Sequence, residues 1–296
     1  MNLSDSILVR RDAEAAAAEF PALLVEADRI AKSVAAGLHG RRRAGQGETF
    51  WQHRPYAFGD PVAAIDWRQS ARASDRLFVR ENEWEIAETV YFWRDGSSSL
   101  EFSSTHEHPT KRRRADILST ALAILLAQGG ERVGILGEER VPFHGRHAAA
   151  RLLESLLQYR QDEPGPPLGH VQYGAKVVLL SDFFFDEDRI AERVETLTEA
   201  GITGALIQVV DPCEEEFPFS GRVRFKNIAN DEHITFGNTT QIRRSYLDVF
   251  AAHRDMLHNL ATRTGWSLIT HRTDNPAETA LLSLYTALSD QKATLT

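Results

Sequence analysis

The sequence has almost no cysteine and no long apolar run. Cys213 is the only cysteine among 296 residues, so no disulfide can form within the chain, as is usual for proteins of reducing compartments. The longest apolar stretch, ILSTALAILLAQ from Ile117, is shorter than the roughly 18–20 residues that cross a bilayer. The first residues, MNLSDSILVRRDAEAAAAEF, place acids inside an alanine run and lack the apolar core of a signal peptide. We therefore expect a soluble, cytoplasmic protein that does not insert into a membrane.

Common signatures of catalysis are also missing. The sequence contains neither the Gly-x-x-x-x-Gly-Lys-Ser/Thr loop of nucleotide-binding proteins nor the Gly-x-Ser-x-Gly elbow of hydrolases. Cys213 lies in DPCEEEF, where neighbouring carboxylates would raise the pKa of the thiol and make it a poor nucleophile. We expect Glu214–Glu216 to form a solvated acidic turn. The net charge of −8 argues against nucleic-acid binding.

The pattern of apolar residues predicts the fold. From Ala13 to about Leu38 the sequence favours a helix, and the next stretch, RRRAGQGETFWQHRPYAFGDP, is typical of an extended loop. After about Glu88, short apolar runs such as TVYFW and AKVVLLS alternate with amphipathic helices. This alternation predicts an α/β fold: a doubly wound, mostly parallel sheet with helices on both faces. We expect residues 1–86 to form the N-terminal helix and an arginine/aromatic-rich segment packed on the main domain, and residues 87–291 to form that domain.

Two loops at predicted strand ends carry oxygen-bearing side chains. The string RDGSSSLEF places Asp95, Ser97 and Ser99 directly after the run TVYFW, and Asp182 follows AKVVLLS. Ligands of such sheets lie beyond the carboxyl ends of the strands, and carboxylate and hydroxyl oxygens suit Mg²⁺ or Mn²⁺. The two carboxylates would repel each other unless a cation or a positive side chain lay between them. An Asp-x-Ser-x-Ser string is also common in turns and helix caps, so both interpretations stay open.

These residues resemble known families. Asp-x-Ser-x-Ser after a first strand, with a later strand ending in aspartate, is similar to the metal-ion-dependent adhesion site of von Willebrand factor A domains. Three stretches resemble the bacterial domain of unknown function 58 proteins: RRRAGQGETFWQHRPYAFGDPVAAIDWRQSARASDRLFVRENEWE, RDGSSSLEF, and DPCEEEFPFSG. The resemblance covers most of the chain from about Gly37 and implies a von Willebrand factor A-like domain. That family is typically encoded beside MoxR-type AAA+ ATPases, which implies a shared role in chaperone-like maturation of other proteins.

The sequence departs from the adhesion-site pattern in one loop. The resemblance implies a metal-binding threonine there, whereas the matching stretch VPFHGRHAAA offers His144, Arg146 and His147. A histidine in place of the threonine would favour a transition metal. Alternatively, Arg146 would neutralise Asp95 and Asp182, and no metal would bind. We expect a degenerate site with weak or absent binding of Mg²⁺ or Mn²⁺.

The arginine/aromatic segment is a second candidate region. Its acids and arginines favour either an ion-pair and aromatic clamp or a protein-docking surface, because Trp, Tyr and Arg are common interface anchors. The candidate partner-binding residues are Arg54, Tyr56, Asp60, Asp66, Trp67, Arg68 and Arg72.

These features predict a noncatalytic interaction module, and the family resemblance implies that its partner is an AAA+ ATPase. The alternative is a magnesium-dependent phosphohydrolase in which Asp95 attacks a phosphoryl group. Ser97 stands where such enzymes usually carry a second acid, so the sequence supplies no local general acid.

Overall fold

The computed structural model describes most of the chain. The described residues are 20–36, 49–57, 60, 62, 65–72, 76–83, 87–159, 164–169, 171–226 and 232–290. They form two compact units, one from the described parts of residues 1–42 and 88–296, the other from those of residues 43–87. The N-terminal helix therefore belongs to the larger unit; its predicted ends at Ala13 and Leu38 lie outside the described residues.

Both units contain strands and helices, which are numbered together in chain order. Among the described residues, the strands are β1 (Thr49–Pro55), β2 (Phe78–Glu83), β3 (Thr89–Arg94), β4 (Arg132–Ile135), β5 (Lys176–Ser181), β6 (Thr203–Val210), β7 (Val223–Lys226), β8 (His233–Phe236) and β9 (Ser267–Arg272). The helices are α1 (20–36), α2 (Trp67–Ser70), α3 (Lys111–Gln128), α4 (Ala148–Gln158), α5 (Glu187–Glu199), α6 (Pro212–Glu216), α7 (Thr239–Thr264) and α8 (Ala277–Asp290). Of these, β1, α2 and β2 belong to the smaller unit and the other elements to the larger one.

The central sheet has the strand order β4-β3-β5-β6-β9, and every pair within it is parallel. The three inner strands β3, β5 and β6 are buried on both faces, which explains their continuous apolar runs. Gly204 permits the close approach of β6 to β5, because a Cβ atom there would lie 1.9 Å from the carbonyl oxygen of Val177. An isolated antiparallel bridge between Val133 and Phe143 adjoins the outer strand β4.

Helices cover both faces of this sheet. On one face, Val90, Phe92 and Leu180 of the strands share a core with residues of α1, α3, α4 and α8. On the other, Trp93 and Leu179 pack with residues of α5 and α7. This arrangement confirms the predicted α/β fold with a mostly parallel sheet flanked by helices. No helix among the described residues is long and apolar enough to cross a membrane.

The smaller unit contains an antiparallel pair, β1 with β2, and the short helix α2. The pairing changes register between Phe50 and Gln52. Asp66 caps α2, since its Oδ1 accepts hydrogen bonds from the backbone nitrogens of Arg68 (3.0 Å) and Gln69 (2.9 Å).

Candidate site at the carboxyl edge of the sheet

The strand order reverses between β3 and β5, because the helix after β3 leads to β4 on one side and the helix after β5 leads to β6 on the other. Such a switch point is the usual place for a binding site in an open parallel sheet. Asp95 follows β3 and Asp182 follows β5, and the backbone nitrogen of Asp95 donates to the carbonyl oxygen of Leu180 at 2.9 Å. The structure therefore brings the two aspartates to neighbouring strand ends.

The carboxylate of Asp95 is buried, and each of its two oxygens accepts a hydrogen bond. Its Oδ2 accepts a hydrogen bond from Ser181 Oγ (2.6 Å), and its Oδ1 accepts one from the backbone nitrogen of Ser97 (2.9 Å). Burial raises the pKa of Asp95 above its ordinary value, and the nearby charge of Asp182 adds to the increase; the hydrogen bonds from Ser181 and Ser97 lower it only in part. Both carboxylate oxygens of Asp95 therefore already accept hydrogen bonds from within the protein.

The serine string forms a local turn. The bond from Ser97 back to Asp95 spans two residues, as in an Asx-turn, and Ser97 precedes a 3-10 turn at Ser98–Glu101. The Ser97 and Ser99 hydroxyls lie 2.9 Å apart, within hydrogen-bonding distance of each other. The turn interpretation thus accounts for the contacts that both hydroxyls make.

A lysine supplies the positive charge at this edge. Lys111 is the first residue of α3 and is 1% exposed. Its Nζ donates to Asp182 Oδ2 at 2.8 Å and to Glu214 Oε1 at 2.5 Å. The same atom lies 5.4 Å from the ring centroid of Phe184 and 5.8 Å from that of Phe102, within the range of cation–π attraction. We call Lys111, Asp182 and Glu214 the buried triad.

Charge pairing keeps the lysine protonated despite its burial. Burial alone lowers the pKa of Lys111, but the charges of Asp182 and Glu214 outweigh that effect and raise it above the ordinary value. Burial raises the pKa of Glu214, and Lys111 offsets only part of the increase. The cation and its two carboxylates therefore stabilise one another in a site that excludes water.

The helix α6 holds Glu214 in place. Asp211 and Glu214 form a capping box, in which Glu214 Oε2 accepts from the backbone nitrogen of Asp211 at 2.8 Å. The expected solvated acidic turn is therefore wrong for Glu214, whose side chain is 14% exposed and bound to Lys111. Glu215 and Glu216 instead pair with arginines nearer the surface, both with Arg272.

A second buried ion pair supports the end of β3. Arg94 Nε donates to Asp116 Oδ1 at 3.0 Å, and both side chains are almost fully buried. Arg94 also donates to the carbonyl oxygens of Asp95 (3.0 Å) and Leu156 (2.5 Å). Nothing in the sequence around Arg94 indicates that Asp116, on helix α3, is the residue with which it pairs.

The loop that carries His144, Arg146 and His147 lies away from the two aspartates. Arg146 Nε donates to His147 Nε2 at 2.8 Å, and both residues line a groove with Ala127 and Gln128 at the last turn of α3. Lys111 stands at the first turn of this helix of 18 residues, about 25 Å away along its axis. Arg146 and His147 are therefore not brought to the aspartates. His144, in the same loop, is exposed.

The donor set does not fit a divalent metal. Among the described residues, no three His, Cys, Asp or Glu side chains converge on one point, and the Ser97 and Ser99 hydroxyls of the expected set lie within hydrogen-bonding distance of each other. Lys111 Nζ already lies against the Asp182 carboxylate, so a divalent cation at that oxygen would meet like charge. A positive side chain does lie against Asp182, but it is Lys111, which joins Asp182 to Glu214, and not Arg146.

One feature of the sequence could have indicated that Lys111 lies at the carboxyl edge of the sheet. It begins the helix that follows the Asp-x-Ser-x-Ser string, and helices that follow parallel strands start at the carboxyl edge of the sheet. Its contact with Asp182 depends on the packing of α3 against β5, which no local pattern encodes.

The predicted partner-binding residues belong to the smaller unit. Asp66 Oδ2 lies 3.0 Å from His53 Nε2. The pKa of Asp66 is lowered, first by the backbone hydrogen bond from Gln69 and then by His53. Asp66 thus contacts His53 and caps the start of α2. The sequence suggested instead an ion pair with the guanidinium group of Arg68 or Arg72.

The other members of this set are mostly at the surface. Trp67 is largely exposed, as are Arg68 and Arg72. Tyr56 is half-buried, and Asp60 Oδ2 accepts a hydrogen bond from the backbone nitrogen of Ala57 at 2.8 Å. The side chain of Arg54 lies outside the described residues. The docking interpretation stays a prediction.

Comparison with known proteins identifies the family. The profile of the family described as "Protein of unknown function DUF58" matches residues 52–256. The chain belongs to the DUF58 family. The resemblance of the sequence to that family is confirmed over these residues.

Among solved structures, the DUF58 chain is similar to another conserved protein. The crystal structure of the conserved hypothetical protein BatB from Bacteroides thetaiotaomicron is 12% identical, with a TM-score of 0.41; the match covers 69% of this chain and 100% of that one. No curated protein matches the chain.

Proposed function

We propose that this DUF58 chain is a noncatalytic protein-interaction module with a von Willebrand factor A-like domain, and an adaptor for a MoxR-type AAA+ ATPase that matures other proteins. The observation that carries the proposal is the state of the charged groups at the carboxyl edge. Asp95, Asp182, Glu214 and Lys111 are hydrogen-bonded to one another or to the chain, and all four are largely buried.

These contacts argue against the phosphohydrolase alternative. A nucleophilic carboxylate needs an oxygen that can reach a phosphorus atom, whereas both oxygens of Asp95 accept internal hydrogen bonds. Catalysis would also need a general acid or base within reach of the reacting group. Lys111 is locked between two carboxylates, so it does not serve as a mobile proton donor.

An exposed aromatic beside the buried triad supports a binding role. Phe184 packs on Phe250 and His253, yet it is 42% exposed and lies above Lys111. A half-exposed aromatic on a rigid base is a typical anchor of protein interfaces. The site would therefore present a fixed aromatic surface to a partner, without a metal to complete the contact.

Direct binding tests the proposal. A purified MoxR-type AAA+ ATPase should bind the wild-type chain, and Phe184→Ala should weaken binding by about tenfold, the loss of about 1.4 kcal/mol. Tyr173→Ala is the matched control, because Tyr173 is 90% exposed and precedes β5 at the opposite edge of the sheet.

Activity measurements separate the two functions. With an aryl phosphate and Mg²⁺, no turnover above background is expected. Turnover that disappears in Asp95→Asn would establish the phosphohydrolase, and equal ATPase binding by wild type and Phe184→Ala would remove the role of this edge.

A further inference from the structure

A cluster of basic residues lies on and beside the strand β7 and in the first turns of α7, outside the buried triad. In a chain of net charge −8, residues 217–226 and 233–247 contain no aspartate or glutamate. They carry five basic residues: Arg222, Arg224, Lys226, Arg243 and Arg244. The loop between these ranges, residues 227–232, carries Asp231 and Glu232, so the positive charge is confined to β7, the residue before it and the first turns of α7.

The hairpin of β7 and β8 sorts this charge onto one face. Arg224 and Lys226 of β7 are exposed, whereas Val223 and Phe225 between them are half-buried. Arg222 precedes the strand by one residue, so the three basic residues occur at every second position. Side chains at every second position of a strand share a face, and the residues paired with Arg224 and Lys226, Thr235 and His233, add no negative charge to it.

Aromatic packing fixes the hairpin on the larger unit. The ring of Phe225 contacts those of Phe217, Phe219 and Phe236, with centroids 5.2–6.0 Å apart. Phe217 also packs on Tyr246 of α7, at 4.6 Å. The opposite face of the hairpin is therefore held by a small core, and the basic face points away from it.

Hydrogen bonds from α7 add to this support. The backbone nitrogen of Thr239 donates to the carbonyl oxygen of Gly221 at 2.9 Å, directly beside Arg222. Arg243 donates to the carbonyl oxygens of Phe217 (3.2 Å) and Glu216 (3.0 Å). A surface fixed in this way loses little conformational entropy when it binds a partner.

Two features of β7 are left without an internal partner. Among the described residues, β7 pairs with β8 alone, so its other edge has unpaired backbone groups. Arg222 and Arg224 make no ion pair within the described part of the chain. A strand added at this edge would pair with the open backbone groups of β7, and acidic side chains on it would pair with the two guanidinium groups.

We propose that β7 binds an extended acidic segment of a partner protein as an added strand, with carboxylates at alternate positions facing Arg222 and Arg224. A nucleic acid fits less well, because the aromatic rings of the hairpin are packed together and offer no stacking platform. This inference does not depend on the role of the buried triad.

Peptide binding to the full chain tests the proposal. The probes are two short dye-labelled peptides of equal composition, one with alternating glutamate and valine and one with the glutamates in a single block. By fluorescence anisotropy the alternating peptide should bind more tightly, and Arg222→Glu with Arg224→Glu should weaken it by at least about tenfold. Binding should also weaken as salt is added.

Matched variants separate local from net charge. Arg132→Glu with Arg151→Glu changes the net charge equally at exposed positions away from the hairpin and should leave the affinity within about twofold. Arg222→Gln with Arg224→Gln gives a milder replacement, and circular dichroism checks the fold of every variant.

Four results would overturn the proposal: no binding of the alternating peptide, equal affinity for both peptides, equal losses in the hairpin and control variants, or tighter binding of an oligodeoxythymidine of the same charge. The last result would assign the surface to nucleic acid.

Discussion

Replacement of Lys111 by methionine tests whether the buried triad depends on its internal cation. Methionine keeps much of the length of the lysine side chain and removes its charge, so Asp182 and Glu214 would stay buried without their partner. Breaking a buried ion pair by removal of one member costs about 3–5 kcal/mol. For a unit of this size, about 2–4 °C per kcal/mol gives a fall in Tm of about 6–20 °C.

The loss should depend on pH. In the wild type the pKa of Lys111 is raised, so its contribution is complete below the ordinary lysine pKa and is lost only as the pH rises through the higher folded value. Burial raises the pKa of Glu214, so the folded state binds that proton more tightly than the unfolded state does. In the variant, protonation of Glu214 at acid pH removes one unpaired buried charge. The deficit should therefore be largest near neutral pH and shrink as the pH falls towards about 4.

Urea unfolding measures this deficit against a matched substitution. Lys32→Met removes a lysine that is 70% exposed and pairs with Asp28 one turn away on α1; it should cost less than about 0.5 kcal/mol. Adding Glu214→Gln to the Lys111→Met variant should restore part of the loss, because one buried charge then disappears. A deficit below about 1 kcal/mol at neutral pH, or one that does not change with pH, would refute the reasoning.

Other predictions concern the metal, the thiol and the second ion pair. Titration with MnCl₂ in a calorimeter should show no micromolar binding to the wild type; binding that Asp95→Ala abolishes would restore the metal site. Burial raises the pKa of Cys213 to about 12, so iodoacetamide at mildly alkaline pH should label the native thiol at least about 100-fold more slowly than the urea-unfolded one; equal rates would contradict its burial. Arg94→Met should lower the free energy of unfolding by about 3–5 kcal/mol, since it leaves the Asp116 carboxylate buried and unpaired; a change below about 1 kcal/mol in urea unfolding would contradict this.

The sequence was sufficient to predict the sheet and the position of its aspartates. Strands buried on both faces leave continuous apolar runs, and amphipathic helices leave a helical period, so both signals are local. The nearness of Asp95 and Asp182 then follows from topology, because the carboxyl ends of parallel strands meet at one edge.

The identity of the cation could not be predicted in the same way. Arg146 was one of two alternatives, because its loop matches the threonine loop of the adhesion-site pattern, yet it lies two residues before α4, beside the last turn of α3. The contact of Lys111 with Asp182 joins residues 71 positions apart, and its contact with Glu214 joins residues 103 apart. Such contacts depend on how helices pack on the sheet, and a run of four basic residues does not show which of them points inwards.

The triad also links the sheet edge to the basic hairpin, which leads to a prediction about motion. Lys111 holds Glu214 on α6, and the carbonyl oxygen of Glu214 accepts a hydrogen bond from Tyr246 at 2.9 Å. Phe217, directly after α6, packs on Tyr246 and on Phe225 of β7. Contacts thus run without a gap from the buried lysine to the strand that carries the basic face.

Loss of the lysine should therefore loosen the hairpin before the sheet unfolds. In Lys111→Met, amide hydrogen exchange of α6, β7 and β8 should rise by at least about tenfold, while exchange in β5 and β6 rises only as far as the lower global stability requires. Lys32→Met should change neither region. If the exchange of β7 and β8 rose no more than that of β5, the hairpin would be held by its aromatic core alone. A change at the buried triad would then have no effect on the basic face of the hairpin.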